Sequence, residues 1–204
     1  MGLKLYATPL SHFARKIRIL LQELEVPFEL EYVENLLSSD PVDFGGNPIL
    51  RIPTLVDGDY WVVESDQIAG HIVERFDPQD RFGVLQMDVA QRNALSMINA
   101  AMGAEVEILL SQRSGIVGIR GYDYFRRYYV VIDRCLDWLE KEGARIWPQQ
   151  DCSYLDIALA CMWDHLAHYR TTPKLDQCRW LAQRVASLRD RPAFLETAPV
   201  AAQA

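Results

Sequence analysis

Two hydroxyl side chains stand where a strand pattern changes into a helix pattern. Ser11 follows the short apolar run Leu3–Ala7 and precedes a stretch with apolar residues at helical spacing. Ser65 follows a second strand-like run and the acidic Glu64, and it also opens a helical pattern. The N-terminus of a helix presents unpaired N–H groups and partial positive charge, so it favours an anion. Each position therefore predicts an anion-binding site, with an ordinary helix cap as the alternative.

The elements that must position these hydroxyls alternate between strand and helix. The predicted strands are Leu3–Ala7, Phe28–Val33, Thr54–Asp57 and Tyr60–Val63, and the predicted helices run from Ser11 to about Glu25 and from Ser65 to just before Asp77. Asp57-Gly58-Asp59 predicts a hairpin turn between the last two strands. The helix between the first two strands allows them to pair in parallel. This βαβ-ββα order predicts a small mixed α/β sheet.

After Pro78 the strand patterns end and only helical patterns follow. The predicted helices cover residues 86–112, 122–142, from Ser153 to about Tyr169, and from about 174 to 189. Ser153 and Asp156 have the spacing of a capping box, which indicates structure and not chemistry. We therefore predict an α/β domain over residues 1–78, a linker over 79–85 and an all-helical domain over 86–204.

Composition excludes several classes of protein. The 204 residues are 50% apolar and 24% charged, which is globular and neither disordered nor collagen-like. Residues 1–80 carry 14 acidic against 6 basic side chains, and the remainder 14 against 15, so neither part has the basic footprint of a nucleic-acid binder. No continuous apolar run reaches the roughly 18–20 residues of a membrane span, and the start lacks a signal-peptide pattern. We expect a soluble cytoplasmic protein whose four cysteines are reduced and mostly buried.

Several motifs in the same order resemble the glutathione S-transferase superfamily, over nearly the whole chain. The motifs are Thr8-Pro9-Leu10-Ser11 with Arg15-Lys16-Ile17-Arg18, Asn47-Pro48 with Arg51-Ile52-Pro53-Thr54-Leu55, Glu64-Ser65, Ser153-x-x-Asp156, and Arg191-Pro192. The resemblance implies a thioredoxin-like N-terminal domain followed by an all-α domain. This agrees with the fold predicted from the pattern.

The resemblance also implies roles in binding glutathione. Pro53 is expected in the cis form, so that the backbone of Ile52 pairs with the cysteine part of the peptide, and Arg51 is expected near its glycine carboxylate. Ser65 is expected to take the γ-glutamyl carboxylate, while Glu64 favours the ammonium group. Arg15 or Lys16 is a further candidate donor to the peptide. A solvated arginine and an ordinary helix cap are the alternatives for Arg51 and Ser65.

Ser11 is the candidate catalytic residue. A thiolate at a helix N-terminus has a lowered pKa, and a serine hydroxyl there can donate a hydrogen bond to the sulfur. Because Ser11-His12-Phe13-Ala14 occupies the turn that holds C-x-x-C in redox members of the fold, disulfide exchange through an enzyme cysteine is excluded at this turn. His12 can titrate near neutrality, although we expect it to be an exposed first-turn residue.

An electrophile pocket is expected between the domains, lined by the first turn of the first helix and by the helix around 102–113. The candidate lining residues are Leu10, Phe13, Met102, Glu105, Val106 and Leu109. They suggest an apolar pocket for a hydrophobic electrophile. We interpret the Tyr/Phe cluster at 122–129 mainly as a packing surface or an oligomer contact.

The leading functional hypothesis is a glutathione transferase that needs no metal or organic cofactor, with glutathione as substrate and a homodimeric state. A non-catalytic binding or assembly module and a glutathione-dependent isomerase or dehalogenase are the alternatives. Cys161, His165 and His168 share one helix face beside Asp164. A tetrahedral zinc site also needs a ligand from another segment, and the sequence indicates none. We therefore expect no metal site.

Overall fold

A four-stranded mixed sheet forms the centre of the first part of the chain. In the computed structural model, which describes residues 2–199, the strands are β1 (Leu3–Ala7), β2 (Phe28–Tyr32), β3 (Thr54–Asp57) and β4 (Tyr60–Val63). Their spatial order is β2-β1-β3-β4. β1 is parallel to β2 and antiparallel to β3, and β3 pairs antiparallel with β4. The predicted thioredoxin-like α/β arrangement is confirmed.

Two helices bury their apolar sides in this domain. They are α1 (His12–Glu23) and α2 (Ser65–Phe76), and Ile17 and Leu20 of α1 and Ile68 and Ile72 of α2 are fully buried. The three- and four-residue spacings place these side chains on one face of each helix. α1 ends two residues before the predicted boundary, because the backbone turns to a φ of +56° at Glu25 ahead of Pro27.

The segment between β2 and β3, which the sequence suggests is loose, contains a 3₁₀ helix over Pro41–Phe44. Asp40 caps it by accepting a hydrogen bond from the Val42 N–H at 3.0 Å, and Phe44 is fully buried. Gly45 follows with a φ of +69°, where a Cβ would lie 2.6 Å from the Tyr6 ring. One buried aromatic side chain and one glycine therefore anchor this segment.

The second part of the chain consists of helices, as predicted. They are α3 (Val89–Arg113), α4 (Asp123–Ile146), α5 (Tyr154–Tyr169) and α6 (Arg179–Ala186). Ser153 and Asp156 form the predicted capping box at the start of α5. The last predicted helix differs, because Pro173–Gln177 is a separate 3₁₀ turn and α6 begins only at Arg179. The backbone leaves helical geometry at Cys178, with φ −95° and ψ 80°, so the turn and α6 are separate elements.

α3 is apolar for its length. An 18-residue window of this 25-residue helix has a mean hydropathy of 1.3, so by length and composition it could cross a membrane. In the helical unit, however, α3 packs against α4 and α5, and Ala94, Ile98 and Ala101 are fully buried. Core helices of folded domains have the same composition.

The described chain divides into two units, residues 2–86 with 191–199, and residues 87–190. The C-terminal segment, which includes α7 (Pro192–Glu196), joins the first unit by packing on α1. Arg15 of α1 donates hydrogen bonds to the Phe194 carbonyl at 3.1 Å and to the Thr197 hydroxyl at 3.2 Å. The predicted helical domain over 86–204 includes residues 191–199, which join the first unit here, and residues 200–204, which lie outside the described residues. Contacts across such a separation leave no local pattern in a sequence.

The predicted linker over 79–85 is held by a tight turn around Asp80. The Asp80 carboxylate accepts hydrogen bonds from the backbone N–H groups of Val84, Leu85 and Gln86 at 2.6, 2.9 and 3.0 Å. Asp80 itself is buried. The last residues of the first unit are therefore fixed by a single carboxylate.

Candidate functional site

Strand register brings three of the predicted segments to one edge of the sheet. Tyr6 near the end of β1 pairs with Thr54 at the start of β3, and Thr54 pairs with Val63 at the end of β4. The turn that leads to α1, the loop that enters β3 and the start of α2 therefore all leave the sheet at this edge. The N-termini of α1 and α2 also begin there, so partial positive charge collects at the same edge.

Ser11 is the N-cap of α1. Its Oγ accepts a hydrogen bond from the Ala14 N–H at 3.2 Å, and its own N–H donates to the Thr8 carbonyl at 3.2 Å. A hydroxyl has two acceptor lone pairs and one donor hydrogen, and the cap bond uses only an acceptor position. Capping and hydrogen-bond donation to a bound anion are therefore compatible at Ser11.

The Ile52-Pro53 peptide bond is cis, as the resemblance led us to expect. Pro53 is buried at the entry to β3, and the Arg51 side chain is exposed. The Arg51 carbonyl accepts a hydrogen bond from the Thr54 hydroxyl at 3.0 Å. This contact fixes the backbone on both sides of the cis bond while the guanidinium of Arg51 stays at the surface.

Asn47 holds the same loop together, a structural role that was not predicted for it. Its side chain is fully buried, and the amide nitrogen donates to the Arg51 carbonyl and to the Thr54 hydroxyl, both at 3.0 Å. Its Oδ1 accepts from the Ile49 N–H at 3.0 Å. The Asn47-Pro48 pair was the available signal, since asparagine before proline favours a turn.

Glu64 adopts a backbone conformation that L-residues rarely take, with φ +64° and ψ 120°. Its carbonyl accepts the first helical hydrogen bond, from the Ile68 N–H at 2.9 Å. The alternative interpretation of Ser65, as an ordinary cap of α2, is wrong, because Glu64 is the cap position and Ser65 is the first helical residue, buried in the fold. The sharp turn of the chain at Glu64 moves the cap back by one residue. Non-glycine residues held at positive φ cluster at functional sites.

Comparison with known proteins matches this domain to one family. Residues 5–80 match the family model described as glutathione S-transferase, N-terminal domain. The N-terminal domain of this chain is therefore similar to that of the glutathione S-transferases. Human glutathione S-transferase theta-1 is 32% identical over 82 residues, which cover 39% of this chain and 34% of that protein. A stringent starvation protein A homolog from Haemophilus ducreyi is 40% identical over 65 residues, covering 31% of this chain and 29% of the relative. The matches thus span about a third of the length of these curated relatives.

Solved glutathione S-transferases have the same fold as the whole chain. The enzyme from Methylobacillus flagellatus KT, solved with GSH bound, superposes with a TM-score of 0.81 at 23% identity, covering 98% of this chain and all of that one. The Methylobacterium radiotolerans protein, in complex with glutathione sulfonate, also has a TM-score of 0.81, at 24% identity over 100% and 98% of the two chains. At this level of identity the likeness shows the fold.

Two residues of α1 differ in position from what we expected. Arg15 and Lys16 were candidate donors to the peptide, but both side chains are buried. Arg15 binds the C-terminal segment, and the Lys16 ammonium lies 2.7 Å from the Asp66 carboxylate. Their position on the inner face of α1 directs both cations into the fold, so neither is a surface donor.

His12 was expected to be exposed and is instead buried, with only 3% of its surface accessible. Its ring lies beside Phe13, with ring centroids 4.7 Å apart. The His12 side chain is buried while its neighbours Ser11 and Phe13 are half-buried, so the usual exposure of an early helical residue does not apply to it. Leu10 and Phe13, both candidates for the electrophile pocket, are half-buried on either side of Ser11 and His12.

The other pocket candidates lie on α3 of the helical unit. Met102 and Glu105 are fully buried, whereas Val106 and Leu109 are half-buried. Both Glu105 carboxylate oxygens are engaged, one by His165 Nδ1 at 2.5 Å and the other by the Thr171 hydroxyl. Glu105 therefore orients a buried histidine, the same His165 that shares a helix face with Cys161.

The cysteines have the character expected of structural thiols. None of the four, all within the described residues, forms a disulfide, and all are buried. Burial, with a smaller contribution from the charge of Glu140, raises the pKa of Cys178 to about 11. Burial also raises the pKa of Cys135. These two thiols remain protonated at neutral pH, so they are poor nucleophiles.

Proposed function

We propose that this protein is a glutathione transferase that activates the glutathione thiol as a thiolate for attack on a hydrophobic electrophile. The observation that supports this most strongly is the register of β1, β3 and β4. It brings the Ser11 turn, the cis-Pro53 loop and the Glu64-Ser65 helix start to one sheet edge. An anionic peptide with two carboxylates and one thiolate suits an edge with two helix N-termini.

In this proposal, each of the segments at this sheet edge binds one part of glutathione. Ile52 pairs its backbone with the cysteinyl residue beside Pro53, and the exposed Arg51 guanidinium faces the glycine carboxylate. Ser65 donates to the γ-glutamyl carboxylate, and the Glu64 carboxylate attracts the ammonium group. Asn47 and Thr54 both donate hydrogen bonds to the Arg51 carbonyl, which fixes the backbone beside the cis bond. This supports the role of Ile52, because a backbone that is already fixed loses little conformational entropy when the peptide pairs with it.

Ser11 is the proposed catalytic residue. Its hydroxyl hydrogen donates to the sulfur, so it stabilises the thiolate over the thiol. Lowering the pKa of a thiol from about 8.5 by one or two units makes it largely ionised at neutral pH, and each unit corresponds to about 1.4 kcal/mol. The thiol proton is released to solvent, and the thiolate attacks the electrophilic carbon to form a C–S bond. With an aryl halide the halide departs with its electron pair. With an enone or an epoxide the electron pair of the broken bond passes to the rest of the electrophile, which takes a proton from solvent.

The remaining parts of the proposal concern the second substrate and the assembly. Leu10, Phe13, Met102, Val106 and Leu109 are proposed to contact a hydrophobic electrophile, with Glu105 supporting the α3 side. We propose a cytoplasmic homodimer with a role in detoxification. Glutathione is its substrate, and no cofactor is proposed. Light scattering tests the dimer, since a mass near the 23.4 kDa of one chain would contradict it.

Calorimetric titration of glutathione into wild type and Ser11→Ala, at neutral and mildly alkaline pH, tests the function. We expect wild type to bind with proton release and the variant to bind without it. A panel of aryl halides, enones and epoxides then identifies the electrophile class. Binding with unchanged proton release in the variant would contradict the role of Ser11, and no binding by wild type would contradict the function.

A second candidate is a binding or assembly module without catalysis. The match to a stringent starvation protein A homolog, whose name is not that of a transferase, supports this second candidate. The electrophile panel separates the two candidates, because a non-catalytic module gives no turnover with any member of the panel even where glutathione binds.

A further inference from the structure

A buried lysine joins α1 to the first turn of α2. The Lys16 side chain has no accessible surface, and its ammonium nitrogen lies 2.7 Å from Asp66 Oδ1. Taking an ammonium group out of water is costly unless an opposite charge compensates it closely. Lys16 and Asp66 therefore form a partly buried ion pair within the domain and not a solvated surface contact.

The position of this pair relates it to the proposed glutathione site. Lys16 lies five residues after Ser11 on α1, and Asp66 directly follows Ser65 on α2. The ion pair thus connects the helix that carries the proposed thiolate donor to the helix start proposed for the γ-glutamyl carboxylate. α1 and α2 also pack on each other.

Asp66 places a negative charge where an anion is proposed to bind. Its side chain is 33% exposed, in the first turn of α2. A carboxylate there is stabilised by the helix dipole, but it also repels a ligand carboxylate at the neighbouring Ser65. A cation held 2.7 Å away neutralises this charge and keeps the Asp66 side chain directed toward α1.

We infer that Lys16 is a positioning residue for the γ-glutamyl end of glutathione, acting through Asp66. The inference rests on the proposed function and adds to it a residue that does not touch the peptide. Lys16 neutralises Asp66 and fixes the first turn of α2, which keeps the Ser65 position attractive to a carboxylate.

The other end of α1 offers a matched control. Glu23 accepts a hydrogen bond from Arg191 Nε at 2.9 Å, and this partly buried ion pair joins α1 to the C-terminal segment. Glu23 is the last residue of α1, at the opposite end from Ser11. Glu23→Gln therefore removes an ion pair from the same helix without changing the charge near Ser65.

The test is calorimetric titration of S-methylglutathione, whose blocked thiol removes any contribution from Ser11. Lys16→Met leaves Asp66 without its compensating cation, and we expect the Kd to rise about tenfold. Asp66→Asn removes the repelling charge while its amide oxygen can still accept a hydrogen bond from the Lys16 ammonium, so we expect the Kd to stay the same or fall. The double variant Lys16→Met/Asp66→Asn replaces the pair by neutral side chains of similar size, so it should restore binding. Glu23→Gln should bind as wild type does.

The outcomes separate this inference from the proposed function. Wild type that fails to bind S-methylglutathione overturns both. If wild type binds, an unchanged Kd in Lys16→Met, or no recovery in the double variant, overturns the inference alone. Should Lys16→Met fail to fold, Asp66→Asn still decides, because a fivefold or larger rise in its Kd would mean that the pair acts only as a structural tie. A raised Kd in Lys16→Met, an unchanged or lower Kd in Asp66→Asn, and a recovered Kd in the double variant together support the inference.

Discussion

The Ser11 hydroxyl oxygen accepts a hydrogen bond from the Ala14 N–H at 3.2 Å. The residue proposed to stabilise the thiolate is thus also the residue that starts α1. Both roles depend on the same local geometry, in which a strand ends, the chain turns and the first helical N–H groups point toward the cap. A variant at Ser11 changes stability and chemistry together, and the two effects must be measured separately.

Replacing Ser11 by alanine should lower the free energy of unfolding by about 1 kcal/mol, the usual effect of a lost N-cap. It should also raise the pKa of the bound glutathione thiol by about one unit, so kcat/KM at neutral pH falls about tenfold or more. The ultraviolet absorbance of the bound thiolate, followed against pH, measures the shift in the pKa of this thiol.

Asp88→Ala is the matched control for that variant. Asp88 caps α3 by accepting a hydrogen bond from the Gln91 N–H at 2.8 Å, so its loss has a similar effect on stability. The pKa of the bound thiol should not move in this variant. A shift equal to that of Ser11→Ala would mean that lost stability, and not a lost donor, changes the thiol.

Glycine and alanine at position 64 should separate backbone conformation from side-chain charge. The φ of +64° at Glu64 favours glycine, so Glu64→Gly should be about 1 kcal/mol more stable than Glu64→Ala. Both variants lack the carboxylate, and both should bind glutathione about tenfold more weakly. Urea unfolding and calorimetry measure the two effects. Equal stability of the two variants would show that the conformation carries no cost.

Asn47→Ala should destabilise the loop that carries Pro53. The substitution removes the acceptor of the Ile49 N–H and the two hydrogen bonds that Asn47 donates inside the fold, so the free energy of unfolding should fall by about 2–3 kcal/mol. The Kd for glutathione should rise about tenfold, since the Ile52 backbone is no longer held.

Asn35→Ala provides the comparison for Asn47→Ala. Asn35 accepts a hydrogen bond from the Leu37 N–H at 3.0 Å in an exposed turn, so its loss should change stability by no more than about 0.5 kcal/mol. Chemical denaturation of both variants checks the difference. A similar small effect at both positions would contradict the central role of Asn47.

Cys178 should make the protein less stable at alkaline pH. Its pKa is raised to about 11 in the fold, where the thiol donates to the Lys174 carbonyl at 3.4 Å, and the unfolded thiol ionises at lower pH. The stabilisation is complete below the pKa of the unfolded thiol and is lost as the pH rises toward the folded value. We expect a loss of about 2 kcal/mol in the unfolding free energy over this range.

Thermal unfolding of wild type and Cys178→Ala across this pH range measures the effect. Lysine and tyrosine side chains titrate in both proteins, so the difference between the two curves isolates the thiol. Parallel curves would mean that the Cys178 thiol ionises alike in the folded and unfolded states.

The sequence alone determined the order of the elements and the features that depend on near neighbours. Apolar spacing predicted β1, β3, β4 and α3 within a few residues, and the Ser11 cap and the Ser153–Asp156 capping box follow from side chains three residues from their partners. Hydrogen bonds and periodicity over one or two turns are local, so they are visible in the chain before it folds.

Only the tertiary structure decided how distant residues pair. Arg15 and Lys16 looked like surface donors until burial of their helix face directed them to the C-terminal segment and to Asp66. Glu23 and Arg191 lie 168 residues apart, and the positive φ of Glu64 appears only where β4 turns into α2. A buried charge takes whichever opposite charge or carbonyl the packing brings close, and the packing depends on the whole chain at once.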